Sequence, residues 1–203
     1  MRLSQDQIDA LTEVVNIGVG RAAGSLCSLI DRHIELHVPQ VELVPANEMN
    51  ARASSHKSTL DTSVIQDFDG VVNGRAVLAF PRASGVLLAQ ILGEMEEEQD
   101  ELDLDLAGVL EEVGNIVLNG VLGTMANLFK GEFLYTVPRL ESDMDALHLV
   151  LEHSSARESA EPAILVADAH FSVAESDICG SLLLAFSLDD MAERLEALLE
   201  SVA

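Results

Sequence analysis

Apolar residues recur every three or four positions over residues 5–31 and again over 102–130, a spacing that predicts a long helix in each stretch. Successive helical residues turn by about 100°, which puts Ile8, Leu11, Val15, Ala22, Leu26, Leu29 and Ile30 on one side of the first helix. Asp9, Glu13 and Asn16 share a stripe well away from that side. In the second helix Leu106, Leu110, Val113, Val117, Val121 and Leu128 make the apolar side, and Gly108, Glu112, Asn115 and Asn119 line nearly the opposite one. Both Glu/Asn pairs are therefore expected to face solvent. Ser4 is the expected cap of the first helix. Alternation and short apolar runs then predict strands over 33–44 and 132–140, near 62–69 and 74–81, and near 163–173 and 178–187. Closing helices are expected near 82–93 and 188–201, the latter opened by Ser187 with Asp189 and Asp190. Stretches 46–60 and 153–161, rich in Ser, Ala and charge, read as surface loops.

The order of elements repeats, and so do the letters. Residues 8–41 align without a gap with residues 107–140, keeping Glu13/Glu112, Asn16/Asn115, Gly24/Gly123 and Val38-Pro39/Val137-Pro138 in register. Further on, Gly74-Arg-Ala-Val-Leu-Ala-Phe80 matches Gly180-Ser-Leu-Leu-Leu-Ala-Phe186, with a short insertion before the second copy. Leucine-rich helices coincide easily, but chance rarely keeps Glu, Asn and Pro in step. A duplicated unit of about 100 residues explains both matches. One domain of two repeats is expected, 1–95 and 102–203, joined by the acidic linker 94–101. The expected fold is α/β in the α+β sense: two pseudo-symmetric halves, mixed or largely antiparallel strands, and the two motif helices laid on the outside.

Composition narrows the chemistry. The chain has 203 residues, 48% of them hydrophobic but only 3% aromatic, so its core is built mainly from Leu, Val, Ile and Ala. The formal net charge is -24, and Lys57 and Lys130 are the sole lysines. Such a balance disfavours nucleic acid and anionic membranes, which select for Lys and Arg. No apolar run reaches the roughly 18 residues of a membrane span, and the start Met1-Arg-Leu-Ser-Gln-Asp lacks the apolar core of a signal peptide. Cys27 and Cys179 are expected to be reduced, buried thiols, which makes the cytoplasm the default compartment.

Asn is a poor residue inside a helix, because its amide competes for backbone groups. Finding it twice, each time three residues after Glu on a polar stripe, marks Glu13, Asn16, Glu112 and Asn115 as a duplicated site. Gly20 and Gly24 lie beside the first copy; Gly20 suits a docking surface, and Gly24, which recurs as Gly123, suits tight packing. The Gly-rich run from Asn16 to Gly24 lies within a helix with no strand before it, which excludes a nucleotide loop. His33, Glu35 and His37 alternate on one strand face without a third and fourth ligand nearby, so they read as a hydrated face rather than a metal site. Neither cysteine has a local histidine that would mark a nucleophile.

The spacing Asp/Ser-x3-Glu-x2-Asn-x22-Pro resembles the active-site signature of the CheC/CheX/FliY phosphatases of bacterial and archaeal chemotaxis. The first repeat carries it whole, as Asp9, Glu13, Asn16 and Pro39. The second keeps Glu112, Asn115 and Pro138 but has Gly108 in the leading position. Two such sites in one chain are most similar to the CheC branch. The resemblance implies a phosphatase acting on the aspartyl phosphate of a CheY-like response regulator. It implies that Asn16 and Asn115 align the attacking water, that Glu13 and Glu112 pair with a lysine of the regulator, and that Asp9, Pro39 and Pro138 support the motif. No cofactor of the chain's own is implied, the Mg2+ being expected on the partner regulator. A CheD-like deamidase is a further partner that the resemblance suggests. The rival expectation is a non-enzymatic module that binds the phosphorylated regulator or the deamidase. A third is a dimeric CheX-like relative with one decayed site.

Overall fold

The computed structural model describes residues 3–30, 33–38, 41–46, 48–49, 60–93, 102–155, 162–173 and 176–202. Pro39 and the whole acidic linker 94–101 therefore lie outside the described residues, as does much of the two stretches expected to be loops. The elements in chain order are α1 (Gln5–Ile30), β1 (Ile34–His37), β2 (Val41–Pro45), β3 (Leu60–Gly70), β4 (Gly74–Pro81) and α2 (Arg82–Leu92). They continue with α3 (Leu104–Leu128), β5 (Phe133–Tyr135), β6 (Arg139–Ser142), α4 (Ala146–Ser155), β7 (Pro162–Val173), β8 (Ser176–Ser187) and α5 (Leu188–Val202).

All eight strands form one sheet with the path β1-β7-β8-β4-β3-β5; β2 also pairs with β7 and β6 also pairs with β3. Each half thus gives its two short strands to the long hairpin of the other half. The central join is β4 against β8, from Gly74↔Phe186 to Ala79↔Ser181. Every pairing among the described residues is antiparallel, so the mixed sheet left open by the sequence is resolved.

Both faces of the sheet are covered, which is why β4 and β8 read as unbroken apolar runs instead of alternating ones. Ala76, Leu78 and Phe80 join Leu182, Leu184 and Phe186 in the larger core, with Leu11, Val15 and Leu26 of α1 and Leu110, Val117 and Val121 of α3. Val77, Ala79, Leu183 and Ala185 point the other way, against Leu149, Val150 and Leu151 of α4 and against Met49. By length and composition α3 could cross a membrane, yet its apolar side is spent on this core.

The helix ends have identifiable causes. Ser4 and Gln7 form a reciprocal capping box: Ser4 N donates to Gln7 Oε1 at 2.9 Å, and Gln7 N donates to Ser4 Oγ at 3.3 Å. Asp103 caps α3 by accepting from the backbone N–H of Asp105 and Leu106. At α5, Asp190 N donates to Ser187 Oγ. Arg75 ties β4 to β3 through a bidentate pair with Asp67 and donates to the Leu149 carbonyl of α4.

Several expectations need correction. The single strands expected over 33–44 and 132–140 are each two strands, β1 with β2 and β5 with β6. Pro138 sits in the second break, where its missing N–H cannot serve the ladder. α4 was not anticipated; it takes up part of 141–162, and residues 46, 48 and 49 are helical rather than loop. Gly24 and Gly123 do not mediate tight packing: a Cβ on either would meet nothing within 4 Å. The close approach is at Gly18 and Gly120 instead, where α1 crosses α3. Cys179 is exposed, with Sγ 3.5 Å from Nδ1 of His170 on the neighbouring strand, and Cys27 is half-buried.

Candidate functional site

Helices α1 and α3 lie side by side on one face of the sheet, and each turns its motif stripe outward. The crossing is tight because Gly18 admits the α3 backbone; a Cβ there would lie 2.6 Å from Val121 Cα. Arg21 donates to Thr124 Oγ1 across the same crossing at 3.2 Å. Asp9, Glu13, Gly108 and Glu112 are exposed, while Asn16 and Asn115 are half-buried. The sequence expectation of a solvent-facing pair therefore holds fully for the glutamates, while each asparagine sits one step inward. That offset suits an amide that needs a fixed direction beside a carboxylate free to meet a partner.

Neither Glu13 nor Glu112 has an ion-pair partner among the described residues. On a chain with net charge -24 both carboxylates stay available to a cation brought by another molecule. Asp9 accepts from Gln5 Nε2 at 2.8 Å, one turn before Glu13. No hydrogen bond joins the Asn16 side chain to another described residue.

The second site is built differently. Asn115 Nδ2 donates to Glu112 Oε2 at 3.4 Å, and Asn115 Oδ1 accepts from Asn119 Nδ2 at 2.5 Å. Asn119 Oδ1 accepts in turn from Gln66 Nε2 at 3.2 Å, and the same Gln66 nitrogen donates to the Thr136 carbonyl at 3.1 Å. Gln66 comes from β3 and is 2% exposed. Thr136 lies in the break between β5 and β6, two residues before Pro138. Glu111 Oε1 accepts from Leu140 N at 3.0 Å, fixing α3 to β6 just beyond that proline. Pro138 is half-buried and touches none of this by a side-chain hydrogen bond; its place is in the chain path that presents Thr136. Sequence reasoning placed Asn119 on the motif stripe but missed Gln66 and Thr136. The one signal for Gln66 was a polar residue where β3 otherwise turns Val64 and Phe68 toward the core.

Among the described residues, no group of three or more His, Cys, Asp or Glu is set to hold a metal ion. His33 pairs with Glu35 at 3.1 Å, and His37 stacks on His170 of β7.

Comparison with known proteins adds two kinds of likeness. In sequence, the chain is 26% identical over 145 residues to the CheY-P phosphatase CheC of Bacillus subtilis, covering 70% of this chain and 69% of that one. In structure, it superposes on Thermotoga maritima FliY with a TM-score of 0.72 at 18% identity, covering 98% of this chain and 99% of the other. The resemblance is to the CheC/CheX/FliY family. The same fold is found in FliM of the H. pylori FliM–SpeE complex (TM-score 0.67, 10% identity, 97% of each chain). It is found again in the CheX–CheY–BeF3–Mg complex of Borrelia burgdorferi (TM-score 0.50, 19% identity, 83% of this chain and 95% of the other). No family model matches the chain. The CheC-like fold is therefore shared by proteins of more than one name.

Proposed function

We propose that this chain hydrolyses the aspartyl phosphate of a CheY-like response regulator. The observation that carries the reading is the duplicated Glu-x-x-Asn stripe: Glu13 with Asn16 and Glu112 with Asn115 stand outward on two helices packed side by side. Similarity to a CheY-P phosphatase supports it, as does the fold shared with CheX in a complex with CheY.

The chemistry asks little of the chain beyond position. A water oxygen attacks phosphorus in line, the bond to the aspartyl oxygen breaks, and the aspartate leaves as a carboxylate with inorganic phosphate. A neutral carboxamide accepts one hydrogen from that water and donates elsewhere, adding no negative charge beside the phosphoryl group. A carboxylate in its place would repel the phosphoryl group. Glu13 and Glu112 would pair with a lysine of the regulator and hold the asparagines in register. Mg2+ belongs to the regulator in this scheme, where it offsets phosphoryl charge. Asp9 supports the first site, and Gly108 offers the second no counterpart.

The second reading is a binding module that holds the phosphorylated regulator, or a CheD-like deamidase, without chemistry. It draws on the likeness to FliM, seen in a complex with a protein partner. The test is the rate of phosphate loss from a CheY-type regulator with wild-type chain, Asn16→Ala, Asn115→Ala and the double variant. A hydrolase accelerates loss, and the double variant abolishes the acceleration. Binding of the regulator with no change in its decay would favour the module.

A further inference from the structure

We infer that Asn119, oriented by Gln66, is a positioning residue for Asn115, and that the second site alone has this support. The inference rests on the hydrolase reading above. Its basis is the direction of a hydrogen-bond chain that can run one way only. The Thr136 carbonyl accepts and cannot donate, so Gln66 must turn its Nε2 toward it. That nitrogen also reaches Asn119, which must therefore present Oδ1 to Gln66 and Nδ2 to Asn115. Asn115 is left with its Oδ1 toward Asn119 and its Nδ2 toward Glu112. A backbone carbonyl in the break between β5 and β6 thus sets the orientation of a carboxamide on the outer side of a helix.

The arrangement does not exhaust Asn115. A carboxamide has two lone pairs and two N–H groups, and one of each is taken. One acceptor and one donor stay free, which is what holding a water against a phosphoryl group requires. A terminal amide torsion is otherwise broad and roughly two-fold, so an unsupported Asn spends much of its time misdirected.

The first site has neither member of the relay. Gly20 stands where the repeat places Asn119. On the core face of β7, the strand that corresponds to β3, the side chains are Ala163, Leu165, Ala167, Ala169 and Phe171, with no amide among them. The two sites thus present the same outer residues on unequal supports.

Gln66 also has a buried Oε1 without a hydrogen-bond partner among the described residues. A residue this deep cannot touch a docked protein, so an effect of changing it on turnover must pass through the groups it holds, Asn119 and the Thr136 carbonyl, and the Asn119 variant separates the two. The experiment uses the full chain carrying Asn16→Ala, which isolates the second site. The substrate is a CheY-type regulator phosphorylated with acetyl phosphate in the presence of Mg2+. Adding Asn119→Ala or Gln66→Met is expected to lower kcat about tenfold while KM stays put, since one hydrogen bond of positioning is lost and docking is not. In the otherwise wild-type chain, the side-chain amide order parameter of Asn115 should be high and that of Asn16 low; either substitution should bring Asn115 down to the level of Asn16. No acceleration by the wild-type chain removes the hydrolase reading and this inference with it. Acceleration that neither substitution reduces removes the inference alone. Loss of all activity on Asn16→Ala also overturns it, because the supported site would then be silent while the first carries the reaction.

Discussion

Replacing Gly18 with alanine tests the helix crossing that sets the two motif stripes side by side. The added Cβ would lie 2.6 Å from Val121 Cα, 3.0 Å from the Gly120 carbonyl oxygen and 3.1 Å from Val121 N. Carbon atoms rest at about 3.5–4.0 Å, so α1 and α3 must separate by roughly 1 Å. The opposing atoms are backbone and cannot rotate aside. Overpacking of this kind costs about 1–3 kcal/mol, against a gain of about 1 kcal/mol from exchanging Gly for Ala inside a helix. Gly20→Ala is the matched control, two residues along the same helix, where a Cβ meets nothing within 4 Å. It should gain the propensity term alone. The difference between the variants cancels propensity and leaves the crossing, about 1–3 kcal/mol, or about 2–4 °C of Tm per kcal/mol for a chain of this size. Urea midpoints at constant slope read it directly. Equal stabilisation of the two variants would refute the close approach of α1 to α3.

Other consequences follow from single contacts. Asp103→Ala removes the carboxylate that accepts from Asp105 N and Leu106 N, and should lower stability by about 1 kcal/mol in urea unfolding; no change would mean that the cap does not form in solution. Arg75→Met strips Asp67 of its bidentate partner and Leu149 of a donor, at side chains 12% and 27% exposed for Arg75 and Asp67. A loss of about 1–3 kcal/mol is expected, and a double-mutant cycle with Asp67→Asn should show coupling between the two. Tyr135 is the sole tyrosine, and burial pushes its phenol above the ordinary 10.0. The phenolate absorbance should therefore appear at higher pH in the folded chain than in urea. The unfolded chain releases this proton first, so the contribution to stability is complete below about 10 and is lost as pH rises through the folded value.

Much of the fold was legible because its strongest signals are local. The 3.6-residue period locates α1 and α3 to within two residues at each end, and the two long hairpins lie close to where their apolar runs predict. What escaped depends on contacts distant in sequence. No pattern in Ile34–His37 announces that its partner is β7 of the other half, with Ile34 opposite Val173. Reading 132–140 as one strand ignored Pro138, whose missing donor is a local fact that should have split it. α4 carried its own signals, with Ala146, Leu149 and Val150 in helical spacing and Asp145 Oδ1 accepting from Leu147 N, but it lies between the two stretches that the repeat matches, where the letters offered no guide.

The site divides along the same line. Its outer residues were legible because duplication wrote Glu and Asn twice at one spacing. Judged by letters, the inequality of the halves falls at Gly108, in the leading position of the motif. A Cβ at Gly108 meets nothing within 4 Å, so filling that position alters only the exposed surface. The larger inequality lies underneath, where Asn119 and Gln66 have Gly20 and core alanines as counterparts. On the hydrolase reading, Glu13 with Asn16 and Glu112 with Asn115 meet the same kind of partner, which accounts for their matching letters. The groups beneath them lie on the hairpin of the opposite half: Gln66 of the first half reaches Asn119 under the second site, and β7 of the second half offers the first site only alanine and larger apolar side chains.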